Sequence, residues 1–204
     1  MNNISVISEN MLCDVRKSFR LLYQYNQQVL DLVKYIGNQF GIDEIYGFPR
    51  WSTPAPAPVR NKATSIDNRL AWDWLNMHLY EFNFISEDDL HFSIVIQSDT
   101  GRYDGNTNWT NIESFGDVNK AQTRLIFVLG DKYWNLDFHG LFEDADIMYK
   151  NESTKIIKDP EDDGKMYVMA FPLTKFKDKE TITAGLQEWV DFLHKHGIDK
   201  LKKK

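Results

Sequence analysis

Four residues in the middle of the chain have the types that metal-assisted hydrolysis requires: Asp99, Asp104, Asp137 and His139. Converging carboxylates can hold a divalent cation, and a histidine beside them can take the proton from a bound water. Asp99 closes the apolar run "HFSIVIQSD", and Asp104 follows in the loop "SDTGRYDGNTNWTN". Asp137 and His139 share one side of the alternating stretch "YWNLDFH". In this reading Asp99 and Asp104 are the candidate metal ligands, and Asp137 and His139 the candidate catalytic pair of a metal-dependent hydrolase or nuclease.

The spacing carries no more specific signature. Setting Gly105 at the sixth position of a calcium-binding loop puts Arg102 at the third and Asn111 at the twelfth, where an acidic ligand is required. No His-Glu-x-x-His, Gly-x-Ser-x-Gly or phosphate-binding glycine loop occurs. The same loop reads more simply as a docking surface, with Asp99, Arg102, Asp104 and Trp109 mixing charge and one large aromatic anchor. Arg50 and Trp51 extend that partner-binding set at the mouth of a proline-rich stretch, "WSTPAPAPVR".

Charge distribution points the same way. The net charge is −6, with 8 basic and 6 acidic residues in 1–70, 5 and 14 in 71–150, and 11 and 10 in 151–204. An acidic middle third repels a phosphate backbone and favours a basic protein partner or a divalent cation. Nucleic acid is therefore disfavoured as a ligand, although Arg50, Arg60, Lys62 and Arg69 gather around the proline stretch. The sequence reading is a non-catalytic protein-binding protein of inhibitor, immunity or adaptor type. Cys13 is the sole cysteine, so no intrachain disulfide can form, and a reducing cytoplasmic location without membrane insertion is expected.

These residues need elements to position them. Leu12, Val15, Phe19, Leu22, Asn26, Val29, Val33, Ile36 and Phe40 step alternately by three and four, which predicts a long helix over about 10–40 ending at Gly41. Its stripe either covers the chain's own core or pairs with a copy of itself as a homodimer, with Asn26 the single polar position of the seam. A proline-rich arm over 49–63 should connect this helix to the sheet, with a short helix from Thr64 to about His78. Strands are expected from Tyr80 to Ile85 and over "HFSIVIQSD", "TRLIFVLG", "YWNLDFH" and "KMYVMAFPL", the third and fourth forming a hairpin through Gly130-Asp131-Lys132. A second helix over about 179–196 starts at Asp178 and stops at Gly197. The lysine-rich end "KLKKK" reads as a solvated tail. The fold class is α+β: one domain, with a mostly antiparallel sheet of about five strands within 79–173, covered by the two helices.

Overall fold

The computed structural model describes residues 8–42, 44–49, 79–84, 91–101, 115–134 and 153–204. The first helix, α1, spans Glu9–Phe40, and the last, α2, spans Lys179–Lys195. Between them lie β1 (Ile45–Pro49), β2 (Leu79–Phe84), β3 (His91–Gln97), β4 (Arg124–Asp131), β5 (Thr154–Lys158) and β6 (Lys165–Pro172). These strands form one sheet in the order β1-β2-β3-β4-β6-β5, with every neighbouring pair antiparallel. The α+β expectation holds, with six strands among the described residues where about five were expected.

Helix boundaries follow from local chemistry. Ser8 caps α1 by accepting from the Met11 N–H at 3.2 Å. Asp178 caps α2 in a capping box with Thr181, accepting from the Thr181 N–H at 2.8 Å. Both helices stop on a Gly-Ile pair. Gly41 has φ 73° and Gly197 φ 81°, and the N–H groups of Ile42 and Ile198 reach back to the carbonyls of Gly37 and Leu193 at 3.0 and 3.1 Å. Glycine tolerates the left-handed turn, and the isoleucine behind it is buried against the core.

Strand alternation divides the sheet into two faces. Phe82, Phe84, Phe92, Ile94, Ile96, Leu125, Phe127, Leu129, Tyr167 and Phe171 point toward the helices, where Val33 and Ile36 of α1 and Leu186 and Trp189 of α2 meet them. Trp189 stacks on Phe127 at 5.5 Å, at the centre of this aromatic core. The opposite face carries Leu79, Val95, Ile126, Val128, Met166 and Val168, which are buried as well. This agrees with the nearly continuous apolar run of β4, whose residues from Arg124 to Gly130 are all buried.

Four expectations are corrected. β4 has no edge left for a hairpin with "YWNLDFH", since β3 takes one side and β6 the other, and residues 135–139 of that stretch lie outside the described residues. Lys132 instead turns out at φ 58°, and Trp134 lies against Gly130 and stacks on His91 at 5.2 Å. Two unexpected strands form the sheet's edges. β1 is only five residues and ends at Pro49, so the chain enters the sheet before the proline stretch rather than after it. β5 carries Lys155 and Lys158. Proline and lysine on short edge strands discourage pairing with another sheet. The "KLKKK" end is docked rather than free: Leu201 is buried, and the Lys204 N–H donates to the Gln39 carbonyl at 2.8 Å. No residue of α1's last turn is basic, so Lys204 brings a cation to the negative end of the helix from outside it.

Candidate functional site

At 32 residues α1 is about 48 Å long, longer than its contact with the sheet. Its stripe is one continuous face, because successive steps of three and four return to the same side every turn. The burial along that face changes abruptly. Val29, Val33, Ile36 and Phe40 are 0–8% exposed. On the same side, Leu12, Val15 and Leu22 are 40–44% exposed and Phe19 is 70% exposed. Met11 and Tyr23, on its flanks, are 52% and 69% exposed.

The polar back of this free half is self-contained. Arg16 pairs with Glu9 at 2.7 Å and Lys17 with Asp14 at 3.0 Å. Asn26 sits at the boundary between the buried and exposed parts of the stripe, and its Oδ1 is buried with no hydrogen-bond donor among the described residues. Helix propensity and two ion pairs stabilise a free amphipathic turn only weakly, and the stripe leaves a contiguous apolar face exposed.

Just beyond Asn26 the helix joins the body. Tyr25 Oη and Ser98 Oγ are 2.9 Å apart, and burial pushes the phenol above its ordinary range while the Ser98 bond acts against that shift. Beside Tyr25 a cleft of ≈ 740 Å³ opens between α1 and the segment leading into α2. Leu32, Leu173, Phe176 and Ile182 form its apolar walls, and Asp31 and Lys177 are exposed among its lining. It is a mainly apolar recess with two charged groups, suited to hold an amphipathic side chain or small molecule.

The second face of the sheet carries a buried polar inset. The Asn83 amide donates to Glu81 at 2.7 Å, and the Ser93 hydroxyl bonds Asn83 Oδ1 across the β2–β3 pair. Four residues further along β3, Arg124 donates twice to Gln97 Oε1, at 3.0 and 2.7 Å. The Gln97 Nε2 group has no acceptor among the described residues. The Ser93 and Gln97 side of β3 is buried, and its hydrophilic groups answer one another across strands.

Asp99 is the one sequence-derived site residue among the described residues. Its carboxylate accepts from the Gly101 N–H at 2.7 Å, while Thr100 and Gln122 exchange two bonds at 3.1 and 2.9 Å. Asp99 therefore fixes a local turn at a loop neck that the Thr100–Gln122 pair closes. Asp104, Asp137 and His139, the proposed metal and catalytic partners, lie outside the described residues, as do Arg50, Trp51, Arg102 and Trp109. The proline-rich segment beyond Pro49 and the short helix expected from Thr64 lie outside them too. Among the described residues, no three His, Cys, Asp or Glu side chains are placed to share a metal ion, and no helix is long and apolar enough to cross a membrane.

Fold and surface together define an α+β protein with an overhanging amphipathic helix. Residues 8–200 match the family model PM0109, and the chain belongs to the PM0109 family. No curated protein and no solved structure matches it. The stripe of α1 was legible as a seam, but its division into a buried and a free half was not. The sheet is only as wide as its strands, and the sequence pattern of the helix runs on past it.

Proposed function

We propose that this chain is a non-catalytic protein-binding protein that docks a partner through the free half of α1. The observation that carries this reading is the exposure of Leu12, Val15, Phe19 and Leu22 in line with buried Val29, Val33 and Ile36. A helix face with apolar anchors three and four residues apart is the surface that a partner helix or an apolar groove recognises. Loss of water from Phe19 and its neighbours would supply the driving force, at about 25 cal/mol for each Å² of apolar area covered. The acidic excess of 71–150 adds a preference for a basic partner at a separate surface.

A photoreactive phenylalanine analogue placed at position 19 tests the reading. Illumination in the native host should link this position to a protein partner, and adding Leu22→Glu should abolish the link. An analogue that couples only to solvent, or only to another stretch of its own chain, would remove the basis for this function.

A further inference from the structure

The geometry points to a second copy of the same chain as the occupant of the free stripe, paired antiparallel with it; this rests on the docking reading above. Three observations converge. The spacing is that of a coiled-coil seam, and such a seam is completed by another helix with the same spacing. The available area is sufficient. Met11, Leu12, Val15, Phe19, Leu22 and Tyr23 are each 40–70% exposed. With about 150–200 Å² for a full side chain of this size, that is roughly 550 Å² per copy. Two copies would bury roughly 1,100 Å², above the ~1,000 Å² that a specific interface needs.

The third observation fixes the direction. The stripe and the sheet-packed surface are the same face of α1, because Val29, Val33 and Ile36 lie in line with Val15, Phe19 and Leu22. A parallel partner helix laid on the free half would continue into the space that the sheet fills beside Val29 and Val33. An antiparallel partner leaves in the other direction, past Ser8, and its own sheet lies beyond that end. Only the antiparallel pair lets both bodies keep their cores.

Register follows from the same limits. Leu12 of each copy faces Leu22 of the other, and Val15 faces Phe19, giving four apolar layers about a two-fold axis. Asn26 of one copy then sits beside Ser8 of the other, so a polar layer closes each end. The paired stretch is about 28 Å long.

The test uses the whole chain with Cys13→Ser as background. Sedimentation should give a dimer, and Phe19→Glu with Leu22→Glu should weaken its dissociation constant by roughly 100-fold without changing the far-ultraviolet circular dichroism. Oxidising a mixture of the Leu12→Cys and Leu22→Cys chains should cross-link them to each other. Leu12→Cys alone should not self-link, since its two copies would lie about 15 Å apart along the axis. A monomer at about 100 μM overturns the proposal. So does self-linking of Leu12→Cys, which reports a parallel pair. A monomer whose position 19 photolinks to a different protein overturns the second copy but leaves the docking function standing. A monomer that links to nothing overturns both.

Discussion

Tyr25 and Ser98 meet through their hydroxyls at 2.9 Å, across 73 positions of chain, and their bond marks the point at which α1 leaves the body of the protein. Four residues further along, Val29 is buried; three residues back, Leu22 is exposed. The pair therefore anchors the helix at its fulcrum. Replacing Tyr25 by Phe should keep the packing of the ring and remove the bond, at about 1 kcal/mol in a denaturant titration.

The same phenol sets an alkaline limit. Burial raises the Tyr25 pKa above its ordinary 10.0. In the unfolded chain the group ionises first, so the unfolded state binds fewer protons above pH 10 and stability falls as pH rises toward the folded pKa. The contribution is complete below pH 10. Tyr25→Phe should flatten the decline in melting temperature above that pH while leaving the neutral-pH curve parallel to the parent.

Two substitutions on one stripe should behave differently. Ile36→Ala empties a fully buried position and should cost about 2–5 kcal/mol of stability. Phe19→Ala removes a larger side chain from the free half and should change the stability of the isolated monomer by less than about 0.5 kcal/mol. Equal losses at the two positions would mean that the free half is covered.

Asp178 anchors the start of α2, and the Thr181 backbone N–H holds its carboxylate below the ordinary 3.8, helped by the Thr181 hydroxyl. Asp178→Ala should lower the melting temperature. The loss should be present above pH 4 and disappear as pH falls through the folded pKa, where the parent carboxylate is protonated as well. Circular dichroism melts between pH 2 and pH 7 provide the check.

Leu201 belongs to the core despite its setting among lysines. Leu201→Ala should destabilise by about 2–5 kcal/mol, as for other buried leucines, whereas Lys203→Ala should change little. Calorimetry of the two variants separates a docked end from a solvated one.

Local chemistry explains which elements the sequence disclosed. The three-and-four spacing from Leu12 to Phe40, the Asp178 cap and the Gly-Ile stops all act within one or two turns, so α1 and α2 were readable to within a residue or two. The strict alternation of β3 and the run of β4 were equally plain. β1 and β5 were not: "IYGFP" and "TKIIK" are five residues each, and only pairing with β2 and β6 makes them strands. "YWNLDFH" misled for the converse reason. Its alternation fits a hairpin, but β6 comes from later in the chain to occupy that edge of β4. Asp99 had the right type for a ligand, and only the fold revealed that its carboxylate holds the Gly101 N–H of a local turn.

The overhang of α1 also divides one helix into two regimes of motion. Backbone amides from Val29 onward can open only when the aromatic core opens with them, so their hydrogen exchange reports global unfolding. Amides before Leu22 are held by the helix ladder and two surface ion pairs, so they exchange through local fraying. A partner that covered the stripe would have to order those turns as it bound, and part of its binding energy would go into that ordering. The protection boundary within α1 would then move toward Ser8, making a single helix a readout of whether the protein is alone.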